Sequence, residues 1–430
     1  MEEMAILAGI IFLITYAFIV SEKVNRTIVA MIGGILMILL KIVDQETALH
    51  HIDFNTLGLL VGMMIIVGIT GETGLFKYVA IWAAKKANAD PLRILVYLGI
   101  ITAVFSAFLD NVTTVLLMVP VTFSITNQLQ VDPMPYLITQ IITSNIGGTA
   151  TLIGDPPNIM IGSAVQELTF LAFIDNLALI ATVILIITLT ILTFFYKRSL
   201  KTTEVLKSEL MALDEKLEIT DHSMLKKCLL VLGLTITGFF LHQILHIESA
   251  AIALAGAFLL LLIAGKDHNF IEHALDKVEW ATIFFFIGLF IAVAGLIETG
   301  IIGVLAQKAI ALTNGDLTKT SLLILWMSAI LSAFLDNIPF VATMIPMIYD
   351  MGAMGLTNLE PIWWSLALGA CLGGNGSIIG ASANLIVAGM AAERGINISF
   401  IRFFKVGFPL MIVSILISTI YVYLRYLNGR

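Results

Sequence analysis

The chain has 430 residues, of which 59% are hydrophobic and 12% are charged, and its formal net charge is −7. Soluble proteins carry roughly 25% charged residues, so this composition excludes an ordinary water-soluble enzyme and indicates a protein whose solvent is the lipid bilayer. The net charge says little about partners, because the charges lie in short loops, and no nucleic-acid partner is expected.

Apolar runs that approach or reach the ~20 residues needed to cross a bilayer recur along the whole sequence. The elements predicted for the first unit, residues 1–198, are spans at 4–20, 26–43, 56–71 and 170–196, an amphipathic helix at 75–88, an interrupted apolar pair at 92–127 and a broken segment at 136–165. A linker at 199–226 follows. The elements predicted for the second unit, residues 227–430, are spans at 227–246, 249–265, 281–296 and 405–424, a helix near 301–313, a pair at 320–351 and a broken segment at 361–391.

The two units are related by an internal repeat with a single offset of 226 residues. The hexapeptide Ser-Ala-Phe-Leu-Asp-Asn occupies residues 106–111 and again residues 332–337. Further matches in the same register are Glu72 with Glu298, Gly148 with Gly374, and Asn158 with Asn384. Chance similarity between apolar segments reproduces leucine and isoleucine rather than these motifs, so we interpret the chain as two homologous halves.

The interrupted pairs 92–127 and 320–351 are predicted to be re-entrant hairpins. Their arms are short for a full crossing, and a polar Asp-Asn pair lies midway, where irregular backbone survives only in a protein-walled cavity. Each half then crosses the membrane five times, and an odd number inverts the second half relative to the first. The predicted fold is an all-α polytopic membrane protein of two inverted five-span repeats, each with a re-entrant hairpin and a discontinuous helix.

Basic residues predict the orientation of this fold. The loops on one side, with the linker among them, hold 18 of the 23 Lys and Arg residues. The positive-inside rule assigns that side to the cytoplasm. We therefore predict a multi-pass protein of the plasma membrane, with a cytoplasmic linker and both termini on the non-cytoplasmic side. Trp363-Trp364 is predicted to anchor a membrane interface.

The aspartates at the hairpin tips, Asp110 and Asp336, are the first candidates for chemistry. Ionisable residues inside a membrane are costly and usually mark ion or proton pathways. The alternative is that each aspartate only caps the helix that follows. Capping can also build a site, because the N–H groups of the second hairpin arm then face the same cavity.

The segments 145–158 and 373–384 cannot form unbroken helices, because glycine pairs interrupt both and Pro156-Pro157 interrupts the first. Inverted-repeat transporters bind ions and solutes at such breaks. The alternative, a glycine packing face, does not need Asp155 or the prolines. At the offset of 226 residues, Ala381 replaces Asp155 and Ser382-Ala383 replaces the two prolines, so only the first half has the extra carboxylate.

Asp110, Asp155 and Asp336 face no Arg or Lys within the broken segments, so a bound dianion or trianion would lack a fixed cationic partner. Such a site suits Na⁺, or protons where burial keeps a carboxyl neutral, and suits a bare dianion or trianion poorly. Cys228 and Cys371 lie in separate apolar segments and predict neither a disulfide nor a metal site. No cofactor is expected besides a coupling ion, H⁺ or Na⁺.

The first-half motifs, Ser-Ala-Phe-Leu-Asp-Asn-Val-Thr-Thr at 106–114 and Asn-Ile-Gly-Gly-Thr-Ala-Thr-Leu-Ile-Gly-Asp-Pro-Pro-Asn at 145–158, resemble those of the ion transporter superfamily. The likeness covers nearly the whole chain and is greatest to the arsenite permease (ArsB) and melanosomal P-protein branch, with citrate transporters and NhaD-type sodium/proton antiporters as relatives. This resemblance implies a scaffold, a transport domain that moves like an elevator, and a site where the hairpin tips meet the broken helices.

The residues that the resemblance and the motifs nominate for substrate or ion binding fall into two sets. They are Asp110, Asn111, Thr113, Asn145, Gly148, Thr149, Thr151, Asp155 and Asn158 in the first half, and Asp336, Asn337, Gly374, Asn375, Ser377 and Asn384 in the second. The candidate Na⁺ ligands are Asp110, Asn111, Gly148, Asp336, Asn337 and Gly374.

We therefore expect a secondary active transporter of the arsenite permease and P-protein type, and not an enzyme. It would move an inorganic ion or a small oxyanion, such as arsenite or antimonite, with H⁺ or Na⁺. A Na⁺/H⁺ antiporter, an anion channel and a citrate or dicarboxylate transporter are the alternatives. An intramembrane aspartyl protease is disfavoured, because Leu152 stands where its Gly-x-Gly-Asp pattern needs glycine. The expected partners are the bilayer, the transported solute and a second copy bound through the scaffold spans.

Overall fold

The computed structural model describes residues 2–21, 23–265 and 268–428, and within these ranges the regular structure is entirely helical. Nine of the described helices are long and apolar enough to cross a membrane. The prediction of an all-α, multi-span membrane protein is therefore confirmed. Three of the nine are hairpin arms, so helix length alone does not separate re-entrant from membrane-crossing hairpins.

The helices follow the predicted order in both halves. Those of the first half are α1 (Glu2–Ser21), α2 (Arg26–Leu39), α3 (Gln45–His50), α4 (Phe54–Glu72), α5 (Leu75–Lys86), α6 (Pro91–Phe108), α7 (Asn111–Leu129), α8 (Met134–Thr149), α9 (Pro156–Ala164) and α10 (Phe170–Tyr196), the last with a π turn at Ile174–Ala178. The linker contains α11 (Glu204–Met211) and a 3₁₀ turn at Glu215–Glu218.

The second half repeats this order. Its helices are α12 (His222–Leu245), α13 (Ser249–Ala264), α14 (His268–Leu275), α15 (Trp280–Glu298), α16 (Ile301–Thr313), α17 (Leu317–Phe334), α18 (Asn337–Ala353), α19 (Glu360–Gly373), α20 (Ser382–Ala392) and α21 (Phe400–Leu427), with a 3₁₀ turn at Gly374–Gly376. The short helices α3 and α14 were not predicted.

Aspartate caps set where the hairpins begin, and they do so in the same way in both halves. Asp90 Oδ1 accepts a hydrogen bond from the Arg93 N–H at 2.9 Å, and Asp316 Oδ1 accepts one from the Lys319 N–H at 2.7 Å. Each first arm ends in one extended residue before the Asp-Asn tip. The tip aspartate is then the N-cap of the second arm, α7 or α18.

Each hairpin is fastened to the broken helix of its own half. The first arm packs along the first part of that helix, α6 on α8 and α17 on α19. Ser106 Oγ donates to the Ser144 carbonyl at 2.6 Å, and Ser332 Oγ donates to the Ala370 carbonyl at 2.7 Å. These bonds lie at equivalent positions, so the two halves share side-chain geometry as well as sequence.

Two pairs of apolar helices pack together between the halves, α2 with α15 and α4 with α13, and we call these four helices the scaffold pairs. A Cβ added at Gly62 would lie 2.5 Å from the Ala253 backbone, and one added at Gly288 would lie 2.5 Å from the Ala30 backbone. Close approach of the helix backbones therefore requires glycine at both crossings. Gly62 and Gly288 are equivalent positions of the repeat.

Loops that were predicted to share one side of the membrane contact one another. Lys85 Nζ, just before the first hairpin, donates to Glu215 Oε2 of the linker at 2.6 Å. Thr202 Oγ1 of the linker donates to the Leu129 carbonyl, at the end of that hairpin, at 2.7 Å. Both ends of the first hairpin thus lie beside the linker, and the re-entrant hairpin stays a prediction because a hairpin of two full crossings would also return to that side.

The inversion of the repeats, the unit boundaries and the orientation of the termini stay predictions. Lys266 and Arg430, which entered the charge argument, lie outside the described residues. The prediction that Trp363-Trp364 anchors an interface is wrong, because both indoles are buried. Trp364 packs edge-on against Phe173, with ring centroids 5.1 Å apart.

Candidate functional site

Six of the described helices begin at one small cavity between the halves, which we call the central cavity. They are α2, α7, α9, α15, α18 and α20. A helix N-terminus carries a partial positive charge of roughly half an electron. Four of these helices have an acidic N-cap, namely Asp110, Asp155, Glu279 and Asp336. The cavity therefore joins converging helix dipoles with carboxylates that offset them.

Asp110 is fixed by the residue three positions further on. Its Oδ1 accepts from the Thr113 backbone N–H at 2.8 Å, and its Oδ2 accepts from the Thr113 hydroxyl at 2.5 Å. Asp110 is buried and lines the central cavity. The two interpretations of the tip aspartate, helix cap and cavity carboxylate, therefore describe the same arrangement.

Asp155 is 1% exposed and incompletely hydrogen-bonded. Its Oδ1 accepts a long bond of 3.4 Å from Asn337 Nδ2, and its Oδ2 has no hydrogen-bond partner among the described residues. Pro156 and Pro157, the next two residues, have no N–H to offer. A buried, unpaired carboxylate costs several kcal/mol, so this position calls for a proton or a cation.

Asp336 has a cationic partner, which comes from outside the broken segments. Arg26 Nη1 lies 2.8 Å from Asp336 Oδ2, and Ser382 Oγ donates to the same oxygen at 3.2 Å. The arginine is 310 positions away in the sequence, at the N-terminus of α2. Pro339 stands where the first half has Thr113, so Asp336 lacks the threonine that holds Asp110.

Both broken helices are closed by an asparagine at the same repeat position. Asn158 Nδ2 donates to the Thr151 carbonyl at 2.8 Å. Asn384 Nδ2 donates to the Ser377 carbonyl at 2.9 Å and to the Gly374 carbonyl at 2.7 Å. These bonds satisfy carbonyls that the helix break leaves without a helical partner.

Asn145 joins the two halves. Its Nδ2 donates to Asn375 Oδ1 at 2.9 Å and to Asn384 Oδ1 at 3.0 Å. Its Oδ1 accepts from Asn111 Nδ2 at 3.1 Å. One buried amide thus connects the first hairpin tip to both broken helices.

Cys371 is the second-half counterpart of Asn145. Its thiol donates to Asn158 Oδ1 at 3.4 Å, as Asn145 donates to Asn384 Oδ1. Cys371 is buried and free. It therefore belongs to the contact between the halves, and sequence reasoning, which treated it as an isolated thiol, missed this position.

The structure divides the nominated residues into a cavity wall and a supporting frame. Asp110, Asn111, Asp155 and Asn337 line the central cavity. The frame, made by the hydrogen bonds of side chains or carbonyls, consists of Thr113, Asn145, Gly148, Thr149, Thr151, Asn158, Gly374, Asn375, Ser377 and Asn384. Asp336 is bound to Arg26.

The predicted Na⁺ ligands are only partly brought together. Asp110, Asn111 and Asn337 line the central cavity. The carbonyls of Gly148 and Gly374 instead accept hydrogen bonds from the closing asparagines. No cluster of three or more His, Cys, Asp or Glu suited to a metal occurs in the part of the chain that the structure describes. The Na⁺ site stays a prediction.

Four polar cavity residues were not predicted from the sequence: Arg26, Glu279, Thr282 and Ser382. Glu279 had a signal, because it lies 226 positions after Asp53 and both are helix N-caps. Ser382 was noticed only as a replacement for Pro156. Arg26 looked like an ordinary loop charge, and nothing local in the sequence links it to Asp336.

Known proteins resemble this chain over most of its length. The family model described as citrate transporter (CitMHS) matches residues 16–369. An uncharacterized transporter of Mycobacterium tuberculosis is 42% identical over 430 residues, covering 98% of this chain and 99% of the relative. The P protein of Homo sapiens is 35% identical over 500 residues, covering 97% of this chain and 59% of the P protein.

A solved structure shares the fold. The crystal structure of the Alcanivorax borkumensis YdaH transporter, whose topology was described as unusual, aligns with a TM-score of 0.57 at 12% identity. The alignment covers 88% of this chain and 87% of that chain. These matches confirm the resemblance indicated by the motifs.

Proposed function

The chain belongs to the citrate transporter family and is a membrane transporter, and from that premise we propose a secondary active mechanism. The protein moves an inorganic ion or a small oxyanion by elevator-like alternating access. It couples this movement to H⁺ or Na⁺. The coupling cation binds at the break of the first half, beside Asp155 and Asp110.

The observation that carries this proposal is the state of Asp155. The carboxylate is 1% exposed, Asn337 donates to one oxygen only at 3.4 Å, and the other oxygen has no close hydrogen-bond donor among the residues described, the buried Cys371 thiol being a weak neighbour. A charge in such a place must be neutralised by protonation or by a bound cation. Asp110 lies on the wall of the same cavity, and a cation there would meet two carboxylates.

Elevator-like movement is supported by the division of the helices into two groups. Hydrogen bonds through Asn145 and Cys371 tie both broken helices into one unit. The second arm of each hairpin packs on the last part of the other half's broken helix, α7 on α20 and α18 on α9. The scaffold pairs form the other group. A unit bonded internally in this way can move as a body against the scaffold.

A Na⁺/H⁺ antiporter is the second candidate, because one observation favours it. Three acids, Asp110, Asp155 and Glu279, line the central cavity against one arginine, Arg26. Carboxylates that bind either H⁺ or Na⁺ are what exchange of the two ions requires. In that mechanism no anion accompanies the cations.

The proposal also covers the substrate, the membrane and its orientation, and the oligomeric state. Arsenite and antimonite are the first substrates to test, followed by chloride for an anion channel and citrate for a dicarboxylate-type carrier. The protein would reside in the plasma membrane with a cytoplasmic linker and both termini outside. A homodimer through the scaffold helices completes the proposal.

The test is a substrate screen with purified protein in proteoliposomes. Arsenite, antimonite, chloride, citrate and Na⁺ are offered under imposed H⁺ and Na⁺ gradients, with protein-free vesicles as the control. We expect at least one of these solutes to accumulate against its gradient. This accumulation should stop when an ionophore collapses the driving gradient. Flux that is unchanged by the ionophore would contradict coupled transport and indicate a channel.

A further inference from the structure

Arg26 stands between two cavities. It lines the central cavity together with Ser382. It also lines a second cavity, with Asp336, Val24 and Asn25, next to the loop between α1 and α2. The Arg26–Asp336 ion pair therefore lies at the boundary between the site and one of its approaches.

Three groups hold the guanidinium at this boundary. Nη1 lies 2.8 Å from Asp336 Oδ2 and donates to Ser382 Oγ at 2.6 Å. The guanidinium carbon lies 5.1 Å from the centroid of the buried Phe285 ring. Because Arg26 and Phe285 belong to the scaffold pair α2–α15 while Asp336 and Ser382 belong to the second hairpin and α20, the ion pair links the two groups of helices.

The break of the second half supplies hydrogen-bond donors that the first half lacks. Ser382 and Ala383 offer backbone N–H groups and a hydroxyl at the start of α20, whose N-cap Ala381 has no side chain able to cap it. Their first-half counterparts, Pro156 and Pro157, offer none. Beside these donors the central cavity contains Asp155 Oδ2, a buried oxygen without a partner in the described chain.

From this geometry we propose that Arg26 is an anion-binding residue that determines substrate charge, and that its bond to Asp336 closes the passage between the cavities until an anion takes the place of Asp336. The occupant is a small anion with two or more acceptor oxygens. Arg26, Ser382 Oγ and the N-terminus of α20 donate to it. This inference rests on the proposed transport function, and it assigns the anion to the second half and the cation to the first.

Arg26 has no equivalent basic residue in the other half of the repeat. At the offset of 226 residues its counterpart is Ile252, and the counterpart of Asp336 is Asp110, which Thr113 already holds. An ion pair at this boundary is therefore a property of one half only. That asymmetry is what a site with distinct anion and cation positions requires.

The test uses charged thiol reagents as probes of the passage, and so does not depend on knowing the substrate. Ile338→Cys places a thiol on the wall of the central cavity, and the native Cys228 and Cys371 are buried. Purified protein in proteoliposomes is labelled with an anionic sulfonatoethyl and a cationic trimethylammonioethyl methanethiosulfonate. The measured quantity is the ratio of the anionic to the cationic labelling rate at residue 338.

Replacing the two members of the ion pair, Arg26 and Asp336, should change that labelling ratio in opposite directions. Arg26→Gln removes the cation and should lower the ratio by at least about tenfold, whereas Asp336→Asn frees Arg26 and should raise it by a similar factor. Arg26→Lys keeps the charge and should stay near the parent value. The matched control is Arg425→Gln, which breaks the exposed ion pair with Asp175 and should leave the ratio unchanged.

Loss of either charge shifts the ratio in opposite directions even for a structural ion pair, so the deciding variant is Ser382→Ala, which keeps both charges. A ratio that is unchanged in Ser382→Ala, or unchanged in Arg26→Gln, would overturn the proposal. Ser382→Ala leaves the ion pair intact and should still lower the ratio, so the proposal stays testable if Arg26→Gln fails to fold. A failure of this inference can be told apart from a failure of the proposed function. Unchanged labelling ratios in a protein with coupled flux would reject the role of Arg26 alone. Opposite shifts in a protein without coupled flux reject the transport mechanism alone.

Discussion

The breaks of the two broken helices have the same backbone design and opposite chemistry. At the first, Asp155 is followed by two prolines, so the cavity receives a carboxylate and no N–H donors. At the second, Ala381 is followed by Ser382, and Arg26 is within hydrogen-bonding distance of that serine. The first break is suited to a cation and the second to an anion. One fold motif, used twice, thus offers sites of opposite charge a short distance apart.

What the halves keep in common is the frame. Ser106 and Ser332 bind equivalent carbonyls, and Asn158 and Asn384 close equivalent breaks. These side chains satisfy buried backbone groups, which every copy of the motif must do. The difference lies in side chains that face the cavity. The comparison therefore separates residues that hold the fold from residues that set its function.

The largest effect is expected at Asp155. Asp155→Asn removes the cation site of the first break, so concentrative uptake should fall to the level of protein-free vesicles while downhill exchange persists. The folded protein should be no less stable, because a neutral amide is cheaper to bury than an unpaired carboxylate. Asp175→Asn, an exposed carboxylate paired with Arg425, is the control and should transport normally. Retention of most gradient-driven uptake by Asp155→Asn would remove the functional difference between the breaks.

The frame should respond equally in both halves. Asn158→Ala and Asn384→Ala each leave buried carbonyls without a donor, and each should lower the free energy of unfolding by roughly 1–3 kcal/mol. Thermal unfolding in detergent measures this, and Asn397→Ala, at an exposed position, should be near neutral. A large loss in one half with none in the other would show that the frame has diverged too.

A smaller effect, confined to the first half, is expected from a substitution at Thr113. Thr113→Ala removes the hydroxyl that donates to Asp110 Oδ2 but leaves the backbone N–H bond to Oδ1. We expect a loss of about 1 kcal/mol in the free energy of unfolding and a shifted apparent affinity for the coupling cation. The cation dependence of uptake gives the second quantity. Thr190→Ala, on an exposed helix face, serves as the reference; if it matches Thr113→Ala in both quantities, Asp110 has no special role.

The smallest effect lies outside the membrane, where the linker docks. The Lys85 ammonium holds the pKa of Glu215 below its usual range. A carboxyl whose pKa is lowered on folding stabilises the docked linker above its unfolded pKa, and this contribution is lost as the pH falls through the folded pKa. Proteolysis of the linker should therefore speed up at acid pH, and Lys85→Met should make the rate less dependent on pH. Identical pH profiles in the two proteins would show that the ion pair does not hold the linker.

The hairpins and breaks could be predicted because their signals are local. The Asp-Asn steps, and the combination of glycines with prolines or serines at the breaks, interrupt the helices, whereas the single prolines inside α7 and α18 do not. The hairpins predicted at 92–127 and 320–351 therefore correspond to the arms Pro91–Phe108 with Asn111–Leu129 and Leu317–Phe334 with Asn337–Ala353. The repeat doubled the strength of each signal.

The cavity was predicted only in part, because its other contributors carry no local signal. Arg26 pairs with Asp336 across 310 positions, and a single basic residue near a loop resembles any other. The predicted interfacial role of the buried Trp363-Trp364 was wrong for a related reason, since an indole is suited both to a membrane interface and to a contact between helices. Which residues meet across the two halves depends on tertiary packing.

The number of cations moved per substrate tests the central claim most directly. Reversal potentials measured in proteoliposomes under opposed substrate and cation gradients give this stoichiometry for the native protein and for Asp155→Asn. If the first break binds the coupling cation, the native protein moves at least one cation per substrate and the variant moves one fewer. Equal stoichiometry in the two proteins would contradict the assignment of the cation to Asp155.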